Sequence, residues 1–121
     1  MQITVKQNLP VTMRDGTVLR ADVYQPTLAG RYPVVLQRTP YDKTREGTVE
    51  HAQNIASDGY TVVLQDVRGR FQSEGEWYPF AKEAPDGYDT VEWLAAQTWS
   101  TGQVEPWVAL TQAAIRQPWP H

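Results

Sequence analysis

The stretch from Tyr60 to Tyr78 constrains the fold more than any other part of the chain. It begins with Thr61-Val62-Val63-Leu64, an uninterrupted apolar and β-branched run that is typical of a strand buried on both faces of a parallel sheet. Charged residues and glycines follow, which predicts that the chain leaves the carboxyl end of this strand as a loop. Open α/β sheets bind ligands at that end of their strands, so we expect any functional site to lie beside this loop.

Within the loop, Asp66, Arg68 and Gly69 are the residues that stand out. The aspartate and the arginine could contact a ligand. They could also pair with each other and tie the loop to the sheet, because a partly buried carboxylate favours a bidentate partner. We interpret all three as structural residues of the loop.

Three further strands are predicted on the amino-terminal side of this one. Apolar and polar residues alternate from Ile3 to Met13 and again from Val18 to Tyr24, and the dipeptide Asp15-Gly16 between them favours a turn. These segments predict an antiparallel hairpin at a sheet edge. Val34–Thr39 predicts a second short buried strand.

Two helices are predicted around the buried strand. Apolar residues recur at helical spacing from Val49 to Ala56, with Gly59 placed to end the helix. Asp86 is predicted to cap the second helix, whose apolar stripe would contain Tyr88, Val91, Leu94 and Ala95. The order of elements predicts an α/β fold in which an antiparallel hairpin leads into a mostly parallel sheet with flanking helices.

Composition excludes several classes of protein. The 121 residues suffice for one small domain, and a net charge of −3 without a basic cluster argues against nucleic-acid binding. The chain contains no cysteine, which fits a reducing cytoplasm and excludes disulfides and thiolate metal sites. It contains neither a signal-peptide pattern nor an apolar run of about 18 residues, so we expect no membrane span.

Three sequence blocks carry a resemblance to a known family. They are Arg-Thr-Pro-Tyr-Asp-Lys at 38–43, Gln-Asp-Val-Arg-Gly-Arg-Phe-Gln-Ser-Glu-Gly at 65–75, and the segment 86–104, which begins Asp-Gly-Tyr-Asp and ends Gly-Gln-Val. In this order, with the Asp-Gly hairpin upstream, they resemble the start of α/β-hydrolases of the Xaa-Pro dipeptidyl-peptidase and cocaine-esterase type. The resemblance covers residues 1–104 and implies the amino-terminal, incomplete part of an α/β-hydrolase catalytic domain.

The resemblance implies a serine hydrolase that cleaves a small-molecule ester or a peptide. Its nucleophile would lie on a Gly-x-Ser-x-Gly elbow, and an acidic residue and a histidine would follow later in the chain. The family tyrosine that matches Tyr41 donates its phenol hydroxyl to the oxyanion hole, so Tyr41 is the catalytic residue that the resemblance carries over. No metal or organic cofactor is implied, and the oligomeric state stays open.

The family pattern breaks off after Val104, where the elbow should begin. None of the three serines, Ser57, Ser73 and Ser100, has glycine both two residues before and two residues after it. His51 falls in the first predicted helix and His121 is the last residue. We therefore expect residues 105–121 to be an aberrant tail that is not native to the fold, and the chain to be inactive as a serine hydrolase.

A shifted reading frame is our hypothesis for this tail. If the codons are read one base out from the third base of codon 104, degeneracy permits Gly-Thr-Met-Gly-Ser-Ser-Tyr-Ala-Gly-Gly, which contains an elbow of the expected type. The pair Trp107-Val108 forces one of these glycines, because TGG followed by GTN contains GGT. At the other positions of the shifted reading, the possible codons permit the residues given above but do not force them.

Other interpretations of the same residues stay open. The chain could be a non-catalytic remnant or an interaction protein that keeps the amino-terminal half of the fold. Trp77, Tyr78 and Phe80 could line an acyl or proline pocket, although packing against the neighbouring helix is the commoner role for such residues. A dinucleotide-binding module is disfavoured, because 40–43 is not a glycine-rich turn.

Overall fold

A computed structural model describes residues 2–39, 41–76 and 83–106. Five strands and two helices follow one another along the chain. They are β1 (Ile3–Thr12), β2 (Val18–Pro26), β3 (Tyr32–Thr39), α1 (Glu46–Ser57), β4 (Thr61–Asp66), α2 (Glu83–Ala95) and β5 (Ser100–Pro106).

The strands form one mixed sheet in the order β1-β2-β4-β3-β5. β1 and β2 form the predicted antiparallel hairpin, with Gly16 in the turn at φ 86°. β2 pairs with β4 in antiparallel orientation, whereas β3 runs parallel to both β4 and β5. The carboxyl ends of β3, β4 and β5 therefore meet at one edge of the sheet, here called the carboxyl edge.

Every residue of β4 is buried, as the uninterrupted apolar run predicts. Alternate residues point to opposite faces, so Val63 joins one core cluster with Leu94 of α2, and Val62 joins another with Ile55 of α1. The two helices thus cover opposite faces of the sheet. Burial of each such side chain contributes roughly 1.5–3 kcal/mol relative to leaving it exposed.

The first helix agrees with its prediction, whereas the second differs in two respects. Gly59 follows α1 with φ 99°, a backbone conformation that glycine adopts without steric cost. α2 begins at Glu83, so Asp86 lies inside the helix and does not cap it; this carboxylate binds Arg68 instead. Tyr88 is 60% exposed and does not belong to the buried stripe, which contains Thr90 and Leu94.

The sequence pattern alone did not predict β5, which includes the solvent-exposed polar residues 101–103. Glu105 and Pro106 pair with Val35 and Leu36, so β5 includes the first two residues of the predicted aberrant tail. The rest of that tail, residues 107–121, lies outside the described residues.

Candidate active site at the carboxyl edge

Tyr41 lies two residues after the end of β3, on the loop between β3 and α1. Its side chain is 66% exposed, and its backbone N–H donates a hydrogen bond to Thr39 Oγ1 over 3.0 Å. The phenol is therefore accessible at the carboxyl edge while its backbone is fixed to the end of the strand.

Asp42 adopts a left-handed backbone conformation with φ 74°, which is uncommon for a residue with a side chain. Its Oδ1 accepts hydrogen bonds from the Thr44 hydroxyl at 2.6 Å and the Thr44 N–H at 2.9 Å. These bonds, the hydroxyl first, lower the pKa of Asp42 below its ordinary value. The short polar side chain thus stabilises a turn that directs the chain from Tyr41 into α1.

Lys43 holds this loop against the neighbouring strand from inside the protein. The residue is only 1% exposed, and its Nζ lies 3.0 Å from Oδ2 of the fully buried Asp66. The Lys43 backbone N–H also donates to Asp66 Oδ1 over 3.0 Å. One carboxylate at the end of β4 therefore fixes both the backbone and the side chain of a residue two positions beyond Tyr41.

β1 and β2 complete the surroundings of the lysine. Lys43 Nζ donates to Asn8 Oδ1 over 2.7 Å and lies 3.7 Å from Oδ1 of buried Asp22. Asn8 has φ 54° where the β1–β2 register shifts, and its N–H donates to Asp22 Oδ1. The irregularity in β1 brings the asparagine amide to the lysine.

Sequence reasoning did not identify this buried cluster. No signal marks it in the sequence, because Asp22 occupies a polar position in the alternating pattern of β2, which predicts exposure to solvent, whereas the structure buries this side chain. The cation could not be found from the sequence either, since Lys43 is remote from Asp22 and lies in a polar loop.

The expected pairing of Asp66 with Arg68 is wrong, because the two residues have different partners. Arg68 makes a bidentate contact with buried Asp86 of α2, with both N···O distances 2.8 Å, and its Nη1 lies 2.9 Å from Asp15 Oδ2. Asp86 first and Asp15 next raise the pKa of Arg68. Arg68 thus joins the loop after β4 to α2 and to the hairpin turn, while Asp66 binds Lys43.

Gly69 lies in the same loop with φ 73° and donates its N–H to the Glu74 carbonyl over 2.8 Å. Ser73 Oγ donates to the Asp66 carbonyl over 2.5 Å. Asp66, Arg68 and Gly69 thus each make contacts within the protein that hold this segment in place; their assignment as structural residues stays a prediction.

Trp77, Tyr78 and Phe80, the candidate pocket residues, lie outside the described residues.

Within the described ranges no group of three or more histidines, cysteines, aspartates or glutamates is placed to hold a metal ion. The same ranges contain no helix that is long and apolar enough to cross a membrane. His51 is an exposed residue of α1.

A groove of about 350 Å³ lies at the opposite edge of the sheet, between the ends of the hairpin strands and the start of β3. Its lining includes Lys6, Leu28, Tyr32 and Trp99. None of the candidate residues that the structure describes lines it. This groove is therefore separate from the candidate site at the carboxyl edge.

The sheet order places the Tyr41 loop at the end of the strand that neighbours β5. β3 lies between β4 and β5, and Pro106 at the end of β5 is opposite Leu36 of β3. β5 therefore ends beside Leu36, three residues before the end of β3. A reacting group placed there would have the Tyr41 phenol as a donor on the loop after β3. The next loop, after β4, is held in place by ion pairs.

Comparisons with known proteins give a consistent picture. A family model of X-Pro dipeptidyl-peptidases (S15 family) matches residues 15–111. Cocaine esterase from Rhodococcus sp. (strain MB1 Bresler) is 41% identical over 107 residues, which cover 84% of this chain and 18% of that protein.

Solved structures show the same fold. A CocE/NonD family hydrolase from Staphylococcus aureus superposes with a TM-score of 0.78 at 26% identity, covering 88% of this chain and 23% of that one. An alpha-amino acid ester hydrolase superposes with a TM-score of 0.74 at 29% identity, covering 86% of this chain and 20% of that one. The chain thus spans about a fifth of the length of these relatives.

Proposed function

Since the chain belongs to the X-Pro dipeptidyl-peptidase (S15) family, we propose that it provides the oxyanion-binding part of a hydrolase that cleaves esters or Xaa-Pro peptide bonds by serine acyl transfer. The observation that carries this proposal is the position of Tyr41. Its exposed phenol stands at the carboxyl edge, on the loop after β3, and β3 is the neighbour of β5, the strand that a nucleophile elbow would follow in the family.

The proposed role of Tyr41 is to donate a hydrogen bond to the oxygen that becomes negatively charged in the transition state. A donor helps most when its position is fixed before the reaction, because no reorganisation is then needed as the charge develops. The Thr39, Asp42 and Lys43 contacts provide this rigidity on both sides of the tyrosine.

The amino-acid sequence contains no Gly-x-Ser-x-Gly elbow. We therefore propose that the 121-residue chain retains an oxyanion donor without a serine nucleophile. Oxyanion binding can still accelerate hydrolysis by water when nucleophilic catalysis is lost, although far less than a complete site does.

Hydrolysis of p-nitrophenyl butyrate tests this proposal. We expect slow turnover that a fluorophosphonate probe neither blocks nor labels. Tyr41→Phe should lower the rate by about a hundredfold or down to the uncatalysed rate, because it removes one oxyanion donor. Tyr60→Phe is the matched control, since Tyr60 is a partly exposed tyrosine just before β4, at the opposite edge. Equal rates for Tyr41→Phe and the unmodified chain would refute the role of Tyr41.

A catalytically inactive remnant or interaction protein is the second candidate function. The absence of a Gly-x-Ser-x-Gly elbow from the sequence favours this second function. This alternative predicts no turnover above the uncatalysed rate and no fluorophosphonate labelling, whereas turnover that depends on Tyr41 or on a serine would contradict it.

A further inference from the structure

Phe71 is held in an unfavourable backbone conformation while its ring is exposed to solvent. Its φ is 49°, in the left-handed region that bulky side chains rarely adopt. The residue is 53% exposed, so burial of the ring in the core does not explain the conformation. Arg70 lies over the ring, with its guanidinium carbon 5.2 Å from the ring centroid.

The loop around Phe71 is fixed by several hydrogen bonds. The Arg70 N–H donates to the Val67 carbonyl and the Ser73 N–H donates to the Arg70 carbonyl, each over 3.0 Å. The Gln72 N–H donates to Asp66 Oδ2 over 3.3 Å. Strain that the surrounding structure maintains in this way is concentrated at functional sites in proteins.

The same buried carboxylate also holds the loop of Tyr41. Asp66 accepts the Lys43 N–H on Oδ1 and the Gln72 N–H on Oδ2. Tyr41 lies two residues before Lys43, and Phe71 lies one residue before Gln72. Two exposed aromatic residues therefore emerge from loops that share one rigid anchor at the carboxyl edge.

We propose that Phe71 is a substrate-binding residue that packs against a flat apolar group, such as an aromatic acyl group, of the ester or peptide. This proposal rests on the proposed function, because the oxyanion donor on the neighbouring loop is what places an acyl group at this edge. An aromatic ring on a rigid loop provides contact area without a large loss of side-chain entropy on binding. The backbone strain at Phe71 is then retained because it keeps the ring at the site.

Benzamide, which carries a benzoyl group and is not cleaved by a slow esterase, is the binding probe. Its dissociation constant is measured by NMR titration of backbone amides for the unmodified chain, Phe71→Ala, Phe71→Gly and Leu28→Ala. We expect both Phe71 variants to bind about tenfold more weakly, which corresponds to about 1.4 kcal/mol. Leu28→Ala is the control, since Leu28 is 70% exposed and lines the groove at the opposite edge.

Thermal unfolding separates a binding role from a structural one. Phe71→Gly should raise the melting temperature while weakening binding, because glycine adopts positive φ without strain. A lower melting temperature for Phe71→Gly, unchanged benzamide binding in both variants, or no saturable binding to the unmodified chain would each overturn the proposal.

The two proposals fail in distinguishable ways. Benzamide binding that depends on Phe71, together with ester hydrolysis that does not depend on Tyr41, would refute the proposed function of Tyr41 alone. Hydrolysis that depends on Tyr41 but has the same preference between p-nitrophenyl benzoate and acetate in Phe71→Ala would refute the role of Phe71 alone.

Discussion

Lys43 illustrates how one side chain can join four parts of this protein. Its ammonium group lies among Asp66 of β4, Asp22 of β2 and Asn8 of β1, while its backbone belongs to the loop after β3. Two buried carboxylates surround one buried cation. Such a cluster is expensive to break, because removal of one member leaves the others charged and without water.

Replacement of Lys43 by methionine therefore has a defined expected result. Lys43→Met keeps an unbranched chain but leaves Asp22 and Asp66 without their cation, so we expect a loss of about 3–5 kcal/mol in the free energy of unfolding. Urea denaturation followed by circular dichroism measures it. Lys6→Met, at an exposed site, makes the same charge change and should cost less than about 0.5 kcal/mol. Equal costs for the two variants would show that the cluster does not stabilise the fold.

Gly75 offers a second test at the scale of a residue. Its φ is 94°, and a Cβ added there would lie 2.8 Å from Arg68 Cγ, whereas Gly16 has φ 86° and open space around it. Gly16→Ala should cost about 1–2 kcal/mol through backbone strain alone. Gly75→Ala should cost roughly 1–3 kcal/mol more in unfolding free energy, because it also crowds the Arg68 stem. Indistinguishable midpoints in urea would contradict this close contact.

At this scale the sequence predicted positions better than partners. Arg68 and Gly69 were identified correctly as loop residues, and Asp66, also assigned to the loop, is the last residue of β4. The ionic partners of the two charged residues are remote in sequence: Lys43 for Asp66, and Asp86 and Asp15 for Arg68. Short-range patterns carry no information about which charges the fold brings together.

At the scale of elements, apolar periodicity predicted the strands and helices that form the core. The buried run of β4 and the alternation of the hairpin determine the register of these strands, because a shift of one residue would expose the apolar side chains. The start of α2 was misplaced, since Asp86 has the residue type of a helix cap but is bound by Arg68 within the helix. β5 was missed because polar residues form its first half.

The position of β5 leads to a prediction about solubility. β5 lies at the end of the sheet order, so its outer backbone groups have no neighbouring strand among the described residues. Such an edge can pair with a second copy, and we expect the chain to associate in solution. Gln103→Lys places a charge on this edge and should reduce light scattering at equal concentration.

The control for this experiment separates edge protection from net charge. Gln53→Lys changes the net charge of the chain by the same amount, at an exposed position of α1. It should scatter light like the unmodified chain. Equal reduction by both variants, or a sharp cooperative melt of a soluble monomeric unmodified chain, would contradict association through β5.

At the scale of the whole molecule, two arginines join the hairpin, the loop after β4 and α2. Arg68 bridges Asp86 and Asp15, and Arg14 in the hairpin turn binds Asp89 of α2 with an N···O distance of 2.8 Å. These ion pairs connect segments that are far apart in sequence. Apolar patterning determines the two core clusters, whereas this set of charges helps to determine how α2 and the turn meet.

The arrangement predicts that stability depends on pH in one direction. Arg68 first and the Thr17 N–H next hold the pKa of Asp15 below its ordinary value of 3.8, and Arg14 does the same for Asp89. A carboxylate with a depressed pKa in the folded state stabilises the protein above its unfolded pKa, and that contribution is lost as the pH falls towards the folded pKa. We therefore expect a nearly constant melting temperature from pH 7 to about pH 5 and a progressive fall below about pH 4.

Two variants test which carboxylates cause this fall. Asp15→Asn and Asp89→Asn should each lower the melting temperature at pH 7 and reduce its further fall on acidification, because part of the pH-dependent contribution is already absent. Glu92→Gln removes an exposed carboxylate from the same helix and should leave both quantities nearly unchanged. Circular dichroism melts at intervals between pH 2.5 and 7 measure them. If Asp15→Asn and Asp89→Asn kept the acid dependence of the unmodified chain, the junction between α2 and the hairpin would not be the part that acid weakens.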